Sequence, residues 1–364
     1  MQVRLDKRAR IIDEGGQAYP VDLLRDHTLK QIREKYTDEA GELTFEVGEE
    51  APDDVVTIGG RVMFLRNTGK LCFTSLQDGF TESSNGERLQ VMLSKALVGE
   101  QALAAWKSDV DLGDFVWVKG FVARSRRGEL SVMATEWKMA SKALRPLPTL
   151  HKELGEETRV RRRYADLVAR EEARQMVRVR AAITRAIRTT LDELGFLEIE
   201  TPILQLVHGG AAARPFNTHL NAFDIDMSLR IALELYLKRA MVGGMDRVYE
   251  MGRVFRNEGI DSNHSAEFTM LEAYMSWGNQ FTIAEVIQQI IVRAADALGG
   301  RQIQTEQGVI DLDGQWEWVH VHPELSRRLG REITLDTPVE ELRAIAAEHD
   351  VEIDPAWEAG KIVM

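Results

Sequence analysis

The 364-residue chain is 44% hydrophobic and 29% charged, with a formal net charge of −12, the balance of a soluble globular protein with room for two or three domains. It has no run of about 18 apolar residues, which excludes a transmembrane helix, and its N-terminus MQVRLDKRARIIDEGG lacks the apolar core of a secretory signal. A single cysteine, Cys72, excludes an intramolecular disulfide framework and cysteine-rich zinc sites and fits a reducing, cytoplasmic setting. The acidic balance argues against indiscriminate electrostatic binding of nucleic acid. Ten arginines between Arg159 and Arg188 nevertheless form a local basic patch of the kind that can recognise RNA.

In chain order, residues 1–36 read as a helical region broken at Gly15-Gly16 and Pro20, and Asp38 to Asp54 as an acidic loop. From Val55 the texture becomes short apolar strands: VVTIGGRVMFL, LCFTSLQD, RLQVMLS, FVWVKGFVARS and ELSVMATEWKM, with a helix from Val98 to Lys107 between the third and fourth. Five strands with one inserted helix fit a small Greek-key barrel of the oligonucleotide-binding type, although another five-stranded β domain would read the same way. The hairpin Gly79 to Arg88 is long, and its tip reads as flexible. KALRPLP, Lys142 to Pro148, closes the barrel as a linker with two prolines.

An amphipathic helix spans Glu171 to Leu194 and ends at Gly195, and FLEIETPIL, Phe196 to Leu204, is a strand running into Pro202. GGAAARPF, Gly209 to Phe216, is too small and glycine-rich for core packing and reads as a mobile or closely approached loop. LRIALELYLKR, Leu229 to Arg239, gives a strand and a helix whose first turn holds Glu234, a place the helix dipole favours for an acid. A helix from Thr282 to Leu298 packs Ile283, Val286, Ile287, Ile290, Ile291 and Ala294 on the sheet. Residues 300–364 read as a polar connection with a helix from Val339 to His349.

The organising stretch is Val248 to Tyr274, VYEMGRVFRNEGIDSNHSAEFTMLEAY: a strand, a polar tip from Asn257 to Ala266, and a second strand reaching about Trp277. Alternation puts Phe268, Met270, Glu272 and Tyr274 on one face and Thr269, Leu271, Ala273 and Met275 on the other. An arginine beside an aromatic ring suits a nucleotide, the fork gripping phosphate and the ring meeting the base. A carboxylate and a phenol further along could hold an ammonium group. By residue type alone, an antiparallel hairpin with a solvated, charged turn is the simpler account.

FRNEGIDSNHSAEFTMLEAY resembles motif 2 of the class II aminoacyl-tRNA synthetases, in the lysyl-tRNA synthetase branch. The resemblance implies that Arg256 holds the ATP α-phosphate and is the catalytic residue, that Glu258 and His264 also bind ATP, and that Phe268 stacks on adenine. It implies that Glu272 and Tyr274 contact lysine, with Gly210 lying over the amino acid and Glu234 meeting its α-amino group. Ser265 and Ala266 stand where the family has Asn-Pro, and Leu233 where it has proline. GRVMFLRNTGKLCFTSLQD and RRGELSV resemble the family's anticodon-binding OB-fold, implying that Phe73 stacks on the central anticodon uridine while Arg66, Gln90 and Glu129 hydrogen-bond it. The helix, glycine, strand and proline of residues 171–202 resemble motif 1, the homodimer region.

The implied fold class is α+β. Residues 1–54 would be an N-terminal extension, 55–148 an OB-fold barrel, and 149–364 a class II catalytic domain with an antiparallel sheet flanked by helices. No Gly-rich, arginine-bearing segment like motif 3 follows Glu272, so the catalytic domain reads as incomplete at its C-terminus, with its magnesium ligands beyond residue 364. The implied activity is ligation of L-lysine to tRNA(Lys) with ATP and Mg2+, in the cytoplasm and without a membrane partner. An aspartate or asparagine enzyme of the same subgroup, or a catalytically incompetent tRNA-binding relative, are the alternatives.

Overall fold

In the computed structural model, which describes residues 1–148, 154–261 and 263–364, the five apolar strands close into a barrel. They are β1 (Glu50–Asn67), β2 (Leu71–Gln77), β3 (Arg88–Ser94), β4 (Phe115–Arg124) and β5 (Leu130–Ser141), in the order β1-β2-β3-β5-β4. The β3–β5 pair is parallel and the others are antiparallel. Alternate residues such as Ile58, Leu76, Leu93, Val118 and Val132 point inward and are fully buried. Between β3 and β4, α3 (Lys95–Val98) and α4 (Glu100–Asp109) supply Leu103 and Trp106 to the same core, the Trp106 ring standing edge-on to Trp137 at 5.1 Å.

α1 (Gln2–Asp13) and α2 (Leu29–Lys35) pack outside the barrel. Leu29 and Ile32 of α2 are buried behind a Thr28/Gln31 capping box. α1 is held by its cations: Arg4 donates to the Leu112 carbonyl at 2.9 Å and Lys7 pairs with Asp111 at 2.7 Å. The loop expected over residues 38–54 ends early, because Glu50 and Ala51 already pair with Ala123 and Val122 before the register shifts at Val55. Strand pairing uses the backbone, so outward acidic side chains do not prevent it. Lys142, the first residue of the expected linker, is fully buried against Asp114 (2.7 Å) and Asp111 (2.6 Å) and fastens the barrel's exit. The domain boundary expected after residue 148 abuts 149–153, which lie outside the described residues.

The Gly79–Arg88 hairpin departs from the flexible tip expected of it. It lies along α7 (Glu171–Glu193), preceded by α5 (Glu156–Arg161) and α6 (Arg163–Ala169). The Glu82 carbonyl accepts from Arg178 at 2.8 Å, the Asn85 carbonyl from Arg174 at 2.7 Å, and the Asn85 amide donates to Glu171 at 2.8 Å. The Glu82 carboxylate pairs with Arg185. Residues 171, 174, 178 and 185 share a helix face, so a one-dimensional charge run becomes a docking stripe. Much of the expected RNA-binding patch is spent this way: Arg163 and Arg170 hold buried Asp166, and Arg188 holds Glu198. Because the Glu82–Arg185 pair is exposed, Glu82→Ala should lower the unfolding midpoint only slightly at low ionic strength, and not at all in 1 M salt, where screening reaches ~3 Å.

Beyond α7 come β6 (Leu197–Glu198), β7 (Leu204–Gln205), β8 (Asn217–Leu220), β9 (Ile225–Leu229), α8 (Glu234–Val242), β10 (Arg247–Phe255), β11 (Glu267–Met275) and α9 (Gln280–Asp296). One sheet has the order β11-β10-β6 and a second β7-β9-β8. The strand expected over Phe196–Leu204 survives only as the two-residue β6 and β7, since Pro202 offers no N–H to a ladder. The β10–β11 hairpin is regular from Arg247↔Met275 to Phe255↔Glu267. Its two faces meet different cores, as alternation requires. Leu271, Ala273 and Met275 join Leu191 and Val286 between α7 and α9, whereas Phe268, Met270 and Tyr274 join Leu233 and Leu237 of the α8 region. On α9 only the stripe Ile283, Val286 and Ile290 reaches this core, while Ile287 and Ile291, expected inside, are 49% and 38% exposed.

Residues 300–364 form a compact unit of their own, rather than the polar connection expected. A hairpin of β12 (Gln302–Thr305) and β13 (Gly308–Asp311) precedes α10 (Val321–Leu329), α11 (Val339–Glu348) and α12 (Ala359–Val363). Leu325, Leu329, Ile333, Leu342, Ile345, Ile362 and Val363 gather into its small core. These apolar residues are sparse along the chain and become a core only once the helices pack.

Candidate functional site

The site is built on the face of the β10–β11 hairpin that carries Val248, Glu250, Gly252 and Val254 opposite Tyr274, Glu272, Met270 and Phe268. Two carboxylates, Glu250 and Glu272, therefore stand directly across from each other, an arrangement that repels unless a cation intervenes. Arg230 is that cation. Its guanidinium donates to Glu250 at 2.6 Å, to the Thr201 carbonyl at 2.9 Å and to the Arg253 carbonyl at 2.8 Å, and both charged side chains are at most 5% exposed. Thr201 completes the set by donating to the second Glu250 oxygen at 2.6 Å. A Cβ at Gly252 would lie 2.3 Å from an Arg230 nitrogen, so glycine there makes room for the guanidinium. Burial of a charged pair is tolerable only with this degree of hydrogen-bond satisfaction.

With Glu250 neutralised, Glu272 is the carboxylate left facing the site. One oxygen accepts the Leu233 N–H at 2.9 Å, at the head of α8, and the other accepts the Tyr274 hydroxyl at 2.7 Å. Burial, then the hydrogen bond to Glu272 and the nearby charge of Glu234, hold the Tyr274 phenol well above the ordinary tyrosine range, so it stays protonated and donating. Glu234, in the first turn of α8, pairs with Lys238 at 2.5 Å, and the same ammonium lies 6.0 Å from the Tyr274 ring centroid. Gly210 abuts Glu234: at φ +86°, its added Cβ would come within 2.8 Å of the Glu234 Cβ. Gly210, Glu234, Glu272 and Tyr274 thus form one cluster.

At the other end of the face, the Arg256 guanidinium lies 5.3 Å from the Phe268 ring centroid and donates to the Ile231 carbonyl at 3.3 Å. Arg230 connects the two ends, because its own carbonyl accepts the Phe255 N–H at 2.9 Å. Glu258 is exposed and accepts the Arg214 N–H at 3.4 Å, in a cleft of about 680 Å³ lined by Ala212 to Arg214 and Asn257 to Gly259. His264 is the expected site residue not drawn in. It is exposed at the tip, where its ring bonds Asp261 at 2.8 Å. The Asp261 carboxyl is held below its ordinary range, first by the Asn263 N–H and then by His264. Among the described residues, no group of three or more His, Cys, Asp or Glu side chains is placed to hold a metal ion.

The four residues expected to read RNA also converge. Arg66, Phe73, Gln90 and Glu129 line one groove of about 910 Å³ on the outer wall of the barrel. Arg66 pairs with Phe73 across β1 and β2, and Gln90 donates to Ser131 at 2.8 Å. The same groove is lined by Phe64, Arg126 and Arg127, which the sequence alone did not single out. Arg230, Glu250 and Gly252 were missed too, although a charged residue inside each of the apolar runs LRIAL and VYEMG was a signal.

Two family models match the chain. The tRNA synthetases class II (D, K and N) match residues 155–357, more than half of it, and the OB-fold nucleic acid binding domain matches residues 56–140. The chain belongs to the class II tRNA synthetases. Its fold is an OB-fold anticodon-binding barrel followed by a class II synthetase domain. The lysine–tRNA ligase of Kineococcus radiotolerans is 53% identical over 366 residues, taking in 100% of this chain and 71% of that protein. The lysine–tRNA ligase of Mycobacterium tuberculosis strain H37Rv is also 53% identical, over 98% of this chain and 68% of the relative. The lysylphosphatidylglycerol biosynthesis bifunctional protein LysX of Rhodococcus jostii is 39% identical over 100% of this chain but 31% of its own length. Among the described residues, no helix of this synthetase chain is long and apolar enough to cross a membrane.

Proposed function

We propose that this synthetase chain is a lysine–tRNA ligase, activating L-lysine with ATP and charging tRNA(Lys). The observation that carries the lysine reading is the cluster of Glu234, Glu272 and Tyr274. There the protein's own Lys238 ammonium already sits between a carboxylate and an aromatic ring. Lys238 is 57% exposed, so its side chain can swing out to solvent and yield Glu234 to the α-amino group of the substrate. Glu272 and Tyr274 contact the amino acid beside it, under the Gly210 loop. Aspartate and asparagine bring the same α-amino group to Glu234 but no side-chain cation for Glu272, which disfavours the alternative substrates of the subgroup.

In the first step a lysine carboxylate oxygen attacks the α-phosphorus, and pyrophosphate leaves as the bond to the β-phosphate breaks. This step needs alignment and charge stabilisation more than a protein base. Arg256 grips the α-phosphate, Phe268 stacks on adenine, and Glu258 and His264 hold the remainder of the nucleotide. Magnesium, when bound with ATP, supplies neutralisation of the phosphate charge. In the second step the terminal ribose hydroxyl of the tRNA attacks the adenylate carbonyl and AMP leaves. Phe73 stacks on the central anticodon base, with Arg66, Gln90 and Glu129 bonding its edges. Exposed Met176 and Val177 on α7 and Leu197 on β6 support a homodimer through this region, and the reading places the protein in the cytoplasm.

The test is ATP–pyrophosphate exchange on the 364-residue chain with lysine, aspartate or asparagine. Exchange is expected with lysine alone. Exchange with either of the others would overturn the assignment, and tRNA binding with no exchange for any amino acid would make the chain an RNA-binding member of its family.

A further inference from the structure

Alternation along β1 puts Val56, Ile58 and Val62 in the barrel core, and continuing it would put Phe64 inside and Met63 outside. The structure does the reverse: Met63 is 5% and Phe64 is 54% exposed. The cause is a register shift against β2 between Val62 and Phe64, where an extra residue enters the strand and re-aims the side chains beyond it. A phenylalanine turned out of a core forfeits its burial, so barrel stability does not account for the arrangement.

The bulge brings Phe64 onto the outer wall that carries Phe73, and both line the 910 Å³ groove. Phe64 pairs with Ser75 and Phe73 with Arg66, which makes the two residues diagonal neighbours on one face, about 7–8 Å apart along the backbone. Two aromatic faces at that separation suit consecutive bases of a splayed single strand. The groove is also positively charged where it matters. Arg66, Arg126 and Arg127 line it, and none of the three is tied to an internal acceptor among the described residues. This contrasts with the spent arginines of α7.

We propose that Phe64 is a second stacking platform for single-stranded RNA, taking the base next to the one held on Phe73. The proposal rests on the reading of this groove as the anticodon-binding face and adds a subsite to it. Phe64 sets how the flanking nucleotide is presented, and the free guanidinium groups meet the phosphates on either side of it.

The experiment uses the full chain and synthetic tRNA(Lys) anticodon stem-loops, each carrying one 2-aminopurine, placed at the central anticodon position or at either neighbour. For the parent protein, fluorescence should be quenched at the central position and at one neighbour. Phe64→Ala should lose the neighbour's quench, keep the central one, and weaken stem-loop binding roughly 5- to 150-fold, the range for one base–aromatic stack. Phe64→Trp should restore both. Equal quenching and affinity in Phe64→Ala, with binding lost in Phe73→Ala, would overturn the second platform while leaving the first. No stem-loop binding by the parent would overturn both readings together. An unchanged unfolding midpoint for Phe64→Ala, expected of so exposed a side chain, separates these outcomes from misfolding.

Discussion

Replacing Arg256 with alanine will lower lysine-dependent pyrophosphate exchange about 10²–10³-fold, the typical loss when one preorganised charge-stabilising group is removed. The unfolding midpoint will stay close to that of the parent. The structure separates these two effects. Arg256 is half-buried, touches Phe268 through a cation–π contact, and among the described residues has a single side-chain bond, 3.3 Å to the Ile231 carbonyl. Its side chain therefore contributes little to folding while placing a full charge beside Phe268, the end of the site proposed to take the nucleotide. Lysine at this position will not restore the rate, because an ammonium cannot make the bidentate grip of a guanidinium. Parallel exchange and thermal-melt measurements on the parent, Arg256→Ala and Arg256→Lys decide the matter. Full exchange in Arg256→Ala would remove the residue from its assigned role.

The second large effect lies beneath the site. Glu250→Ala will destabilise the protein by about 3–5 kcal/mol, because it leaves the Arg230 guanidinium buried without its counter-ion. For a domain of this size that corresponds to roughly 5–20 °C in unfolding midpoint. Glu250→Gln will cost less, since the amide oxygen can still accept from Arg230. The double replacement Arg230→Met with Glu250→Leu will recover much of the loss, as apolar substitutes for buried ion pairs commonly do. It will not recover activity, because the Arg230 bonds to the Thr201 and Arg253 carbonyls, which fix the backbone beneath Glu272, would be gone. A Glu250→Ala protein melting within about 2 °C of the parent would show that the pair does not act as the site's foundation.

Several parts of this architecture were legible in one dimension. The β10–β11 hairpin was readable because a period of two survives in Phe268, Met270, Glu272 and Tyr274, and because its tip carries glycine and polar residues. The barrel strands were readable from runs of β-branched and aromatic residues. Gly210, Glu234, Glu272 and Tyr274 lie together, Glu234 opening α8 and Glu272 and Tyr274 on one face of β11, with the Gly210 loop against Glu234. His264, expected at the ATP end with Arg256 and Phe268, instead bonds Asp261.

What only the tertiary structure decided are the long-range pairings of charge and the single-residue insertions. Ten arginines close together in sequence looked like one RNA-binding patch, yet the fold directs Arg174, Arg178 and Arg185 to a hairpin about 90–100 residues away in sequence and leaves Arg66, Arg126 and Arg127 for the groove. Whether a guanidinium is free depends on which acceptors the fold brings within about 3 Å of it, and residue type carries no record of that. Likewise strand alternation alone would bury Phe64, and one bulge reverses its face. The sequence by itself determined the family, the barrel strands, the β10–β11 hairpin and the linear motif, because those depend on local periodicity and residue identity. The folded chain alone determined which charges are neutralised and which aromatic ring faces outward, because each of those depends on a partner distant in sequence.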